Sequence, residues 1–161
     1  MPNGTFHANT NLLVAAGATV ASLSLSLAEN NYSGFIGTIF FVLGVLSGIP
    51  LTPDLDLDEN YWNSFYFLDI AHKFPGWIWH FFWYPYAKLM RHRSTLSHFP
   101  IFSTAIRCAY VLIPLTIAIL LFDKEMIVIS FFGQVHPMNY IFFLSGLAIS
   151  DLLHYLADII L

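Results

Sequence analysis

Charge is what this sequence has least of. Charged types make up 10% of its 161 residues, where a soluble domain carries about 25%. That scarcity excludes a water-coated globule and leaves lipid to cover most of the surface. Basic residues are fewest: 6 Lys and Arg stand against 10 Asp and Glu. The chain therefore has no basic face for nucleic acid. A single cysteine, Cys108, excludes an internal disulfide framework. No basic residue precedes the first apolar run, so the positive leader of a secretory signal is missing. The N-terminal segment is expected to stay in the mature protein. Neither an internal repeat nor a low-complexity tract is visible.

What the chain does have is long apolar runs. Hydrophobic types reach 57% and the mean hydropathy is +0.67. A bilayer-crossing helix takes about 17 to 25 residues. Leu12–Ala28, Gly34–Leu51, Phe99–Phe122 and Tyr140–Leu161 qualify. Ser22, Ser24 and Ser26 dilute the first, Pro53 ends the second, and Pro114 is a candidate kink in the third. Met126–Gly133 is apolar but too short to cross, so it reads as a dip or part of a hairpin. Phe74–Met90 concentrates Trp77, Trp79, Trp83, Tyr84 and Tyr86 between Lys73, Lys88 and Arg91. That is the pattern of a helix lying in the membrane interface. The expected fold is all-α: one domain over 1–161, a polytopic membrane bundle of about four spans with an interfacial aromatic helix. The loop between spans two and three carries Lys73, Lys88, Arg91 and Arg93, while the next loop has only Lys124. The positive-inside rule then puts the 53–98 loop and both termini in the cytoplasm.

Against this apolar background a few ionisable residues stand out. His7 precedes span one, Asp54 and Asp56 follow span two, and His92 and His98 precede span three. Asp151, His154 and Asp158 lie in the second half of span four. With four spans all of these fall towards one side, the cytoplasmic one. Asp151, His154 and Asp158 are spaced three and four residues apart, so they share one helical stripe. An Asp near the centre of a spanning helix costs about 2.5 to 3.5 kcal/mol on insertion scales. Such residues must face inward and find partners. Ionised, the four Asp carry −4, and two divalent ions would neutralise them. Imidazole with carboxylate suits zinc, placed first here, and also manganese or iron.

Plainer readings compete. Asp54 and Asp56 could pair with Arg91, Arg93 or Arg107 in a buried ion-pair network. Asp151, His154 and Asp158 could form a proton relay. His72, His80 and His136 fit no ligand pattern and read as interfacial or loop residues, and Asp58 and Glu59 as solvated loop charges.

Three segments carry a resemblance: Pro53-Asp54-Leu55-Asp56, His92-Arg93-Ser94 with Ser97-His98, and Asp151-Leu152-Leu153-His154 with Asp158. In this order they resemble a family of uncharacterised metal-binding membrane proteins. They are also similar to the membrane-bound metal-dependent hydrolase family. Trp83-Tyr84-Pro85-Tyr86, Arg107 and Tyr110 extend the first likeness over nearly the whole chain. An early histidine belongs to the same pattern, which strengthens the case for His7.

The resemblance implies one or two divalent ions held by His7, Asp54, Asp56, His92, His98, His154 and Asp158. Asp151 would be the general base or a carboxylate behind the ligands, and Arg93 would stabilise an anionic oxygen. A phosphoester or phospholipid-like substrate would reach the site from the membrane lipid. Two other classes stay open: a non-catalytic protein stapled by its metal, and a small ion or proton transporter.

Overall fold

The computed structural model describes residues 4–53, 75–90, 94, 98–122 and 125–160. Among the described residues every regular element is a helix: α1 Gly4–Glu29, α2 Ser33–Ser47, α3 Pro75–Leu89, α4 Pro100–Leu121, α5 Glu125–Phe132 and α6 Pro137–Ile160. Helices α1, α4 and α6 are long and apolar enough to cross a membrane. Their outward faces carry bare side chains such as Leu13, Leu121 and Ile160, each more than 70% exposed. In water that surface would be an aggregation hazard; in lipid it is an ordinary exterior. The arrangement fits an integral membrane protein.

The second apolar run forms a shorter helix than its length suggests. It is 15 residues, about 22 Å at 1.5 Å per residue, against about 30 Å of bilayer hydrocarbon. The remainder of the run, Gly48–Leu51, is turn rather than helix, because Pro50 and Pro53 cannot continue an α-helical hydrogen-bond ladder. Helix α4 begins at Pro100 with Phe99 as its N-cap in extended conformation. Proline suits the first helical position and pushes the residue before it out of the α region, which explains the start. Pro114 sits inside α4 without ending it.

Close backbone packing of α2 on α6 centres the bundle. A Cβ added to Gly44 would collide with the carbonyl oxygen of Phe143, and one added to Gly146 would collide with that of Phe41. The two glycines thus let the helices touch backbone to backbone, each in the other's groove. Lipid supplies no hydrophobic drive between helices, so such van der Waals contact holds them together. Helix α1 packs along α2 antiparallel, after a turn that places Asn30 at φ 49°. Thr38 Oγ1 donates to Ser22 Oγ at 2.8 Å between them. Helix α3 docks by its aromatic rings. Trp83 and Tyr86 are buried, Trp83 stacks on Tyr110 of α4 with centroids 5.1 Å apart, and the Tyr110 hydroxyl donates to the Phe82 carbonyl at 2.6 Å. Its Phe81 and Leu89 face outward, as a helix at a lipid boundary requires.

Candidate metal centre

The helix ends decide which polar side chains meet. Antiparallel packing returns the end of α2 to the start of α1, where Ile49 packs on Ala8. The second half of α6 and the chain entering α4 arrive at the same end. There, His7 from α1, His98 from just before α4, and His154 and Asp158 from α6 converge. The His7 and His154 rings stack at 3.8 Å between centroids with 21° between planes. Asp158 lies among the imidazoles. Its Oδ1 is 3.6 Å from His7 Nε2, and its Oδ2 is 3.4 Å from His154 Nε2 and 4.0 Å from His98 Nε2. One ligand atom each from His7, His154 and Asp158 lie within 4.8 Å of one another.

These separations test whether a metal fits. They exceed the 2.7 to 3.2 Å typical of a hydrogen bond. A tetrahedral ion with bonds of about 2.0 to 2.2 Å holds its ligand atoms about 3.4 Å apart. The donor set is imidazole nitrogens around one carboxylate, in the range that a shared cation would require, so the residues fit a divalent ion. Beside them, Thr52 Oγ1 lies 3.4 Å from His154 Nδ1, the ring nitrogen turned away from Asp158. Asn11, one turn after His7, donates through Nδ2 to Ser150 Oγ at 2.7 Å. A cavity of about 10 Å³ lies among His7, Asn11, Thr52, Ser150 and His154, roughly the space of one water-sized group.

Asp151 looks elsewhere. It is fully buried and faces α4, where Arg107 Nη2 and Thr104 Oγ1 bond its Oδ2 closely and Ser103 Oγ donates to the same oxygen at 3.4 Å. The structure does not bring Asp151 into the His7–His154–Asp158 group. Arg107, weighed from sequence as a partner for Asp54 or Asp56, is the partner of Asp151. It is the only basic residue in its span, so an intramembrane Asp in need of a cation points to it. Asp54, Asp56, His92 and Arg93 lie outside the described residues. Thr52, Asn11 and Ser150 escaped the sequence reading. Uncharged hydroxyls and amides in apolar helices are common, and nothing in their spacing singles these out.

Three helices long and apolar enough to cross a membrane, with imidazoles and a carboxylate gathered at one end, fit a metal-binding protein of the membrane. The chain belongs to the family described as uncharacterized metal-binding protein (DUF2227), whose profile matches residues 2–161. No curated protein and no solved structure matches the chain. The likeness to the membrane-bound metal-dependent hydrolases gains no support from these comparisons.

Proposed function

We propose that this protein is a membrane-embedded, metal-dependent hydrolase of a phosphoester or lipid-like substrate. The observation that carries the reading is the convergence of His7, His154 and Asp158, with His98 beside them, next to a small cavity that His7 and His154 help to line. Three protein donors leave a zinc position open, which is the catalytic pattern, whereas four close it. The tight group has three members, and His98 is the donor set farther out. A divalent ion, when bound, supplies Lewis acidity and makes water a competent nucleophile near neutral pH. The chain's own residues do the rest. His7 and His154 orient by stacking, Thr52 holds the far nitrogen of His154, and Phe6 and Phe99, both exposed beside the ligands, offer acyl chains a surface in contact with lipid. Asp54, Asp56 and His92 would add ligands for a second ion, and Arg93 an anion contact. The basic residues of the 53–98 loop support a cytoplasmic position for this end of the bundle.

A second reading has its own observation. The donors come from three separate helical segments, so a metal bound by all four would staple the bundle without reacting. A transport path is the least supported. One turn beyond Asn11, Gly48 and Ser150, the buried Ala15, Val45 and Leu147 replace polar groups, and the glycine crossing leaves no gap there.

The experiment is purification in mild detergent, elemental analysis, and assay against chromogenic phosphomonoesters and phosphodiesters and short-chain phospholipids. The expected result is stoichiometric metal, turnover that a chelator abolishes, and loss of both in His154→Ala. Stoichiometric metal without turnover on any of these substrates rejects hydrolysis in favour of the staple. Unchanged metal content in His154→Ala rejects the centre itself.

A further inference from the structure

We infer that the buried Arg107–Asp151 pair is a positioning device for the metal centre: it sets the register of α4 against α6 and so delivers His98 to Asp158. The inference rests on the metal reading above. Its starting point is an asymmetry among the donors. His154 and Asp158 belong to α6 and need no help to meet, being one turn apart. His7 rides on α1. His98 alone is carried by the chain entering α4, so the placement of α4 on α6 determines whether it reaches the others.

That placement is fixed by polar contacts. Ser103, Thr104 and Arg107 occupy one stripe of α4 and all bond Asp151 Oδ2. Asp151 is 0% exposed and Arg107 1%. A slip or rotation of α4 by one residue would separate two opposite charges inside an apolar bundle. His98 lies about two and a half helical turns before Arg107, linked through the extended Phe99 and Pro100 at the helix start. An error of register at Arg107 would be carried to the imidazole, whose Nε2 lies 4.0 Å from Asp158 Oδ2.

Its own bonding argues that the pair serves geometry more than stability. Among the described residues Asp151 Oδ1 and Arg107 Nε and Nη1 have no hydrogen-bond partner. A buried ion pair left so incomplete gains little over apolar residues of similar volume. What apolar residues would not supply is a unique register.

The test replaces both partners, which leaves no orphan charge: Arg107→Met with Asp151→Leu. Cobalt(II) is the probe, because its visible spectrum reports the ligand set and its titration gives an affinity. The double variant should melt like the unmodified protein in detergent, bind cobalt about tenfold more weakly, and give the spectrum of His98→Ala. Adding His98→Ala to the double variant should then weaken binding no further. Additive losses, or wild-type affinity and spectrum in a folded double variant, overturn the positioning role. Should that variant not fold, Arg107→Gln with Asp151→Asn, which keeps hydrogen bonding, is read in the same way. Failure of the unmodified protein to bind cobalt overturns the metal reading instead, so the two failures are told apart.

Discussion

Helix α6 does two jobs along its length. Its middle, around Gly146 and Leu147, presses backbone to backbone on α2 and carries no charge. Its second half carries Asp151, His154 and Asp158, and meets partners through polar atoms. The first region makes the bundle possible, and the second uses it. Close van der Waals contact holds only if nothing enters the groove. Polar contacts in an apolar medium hold only while each charge keeps an opposite charge or a ligand beside it. The two regions should therefore fail differently when perturbed.

The largest effect belongs to the crossing. Gly146→Leu would drive a side chain into the Phe41 carbonyl, and backbone cannot yield as a flexible side chain can. The expected destabilisation is about 3 kcal/mol, the upper end for overpacked sites, read as a lowered melting temperature and aggregation in detergent. Gly44→Leu should behave alike, because the contact is reciprocal. A Gly146→Leu protein that melts like the unmodified one would mean that α2 and α6 do not cross at this point.

How far these regions were legible in the sequence follows from the same contrast. The polar end could be read because each charge in an apolar run is conspicuous. The expected four spans put His7, His98, His154 and Asp158 on one side; the structure brings these four together, although three rather than four of its described helices are long and apolar enough to cross. The partner of Asp151 could be reasoned out, since Arg107 is the one cation in the neighbouring span, although the acids after Pro53 competed for it. The crossing was not legible. Lipid-facing and helix-facing residues are both apolar, so hydropathy does not distinguish them. The repeats Gly44-x-x-x-Gly48 and Gly146-x-x-x-Ser150 signal contact only once a partner is known. The true length of α2 was hidden for a similar reason. Gly48–Leu51 continues the apolar composition of the run while its backbone has already left the helix.

At the polar end, removing metal should loosen the protein and leave the crossing intact. A ligand at a hundred times its Kd stabilises the state that binds it by about 2.7 kcal/mol. Addition of zinc at that ratio should raise the melting temperature accordingly. In His7→Ala the shift should shrink, while the metal-free melting temperature stays near that of the unmodified protein. If metal-free His7→Ala unfolds outright, the histidine cluster is part of the packing rather than an attachment to it.

The smallest effect discriminates most finely. His154 turns Nε2 towards Asp158 and would hold a metal through it; Nδ1 would then carry the proton and donate it to Thr52 Oγ1, 3.4 Å away. Both residues are buried, so water cannot readily substitute for the hydroxyl. Thr52→Val keeps the shape and removes the acceptor. Loss of such a contact behind a ligand weakens metal binding about tenfold at the least, or about 1.4 kcal/mol. Thr52→Ser, which restores the oxygen, should recover most of it. Neither change touches the glycine crossing, so both proteins should melt normally without metal. Equal metal affinity in Thr52→Val and the unmodified protein would remove Thr52 from the centre. A loss that serine does not rescue would trace instead to packing beside Pro53, where the chain enters the segment that carries Asp54 and Asp56.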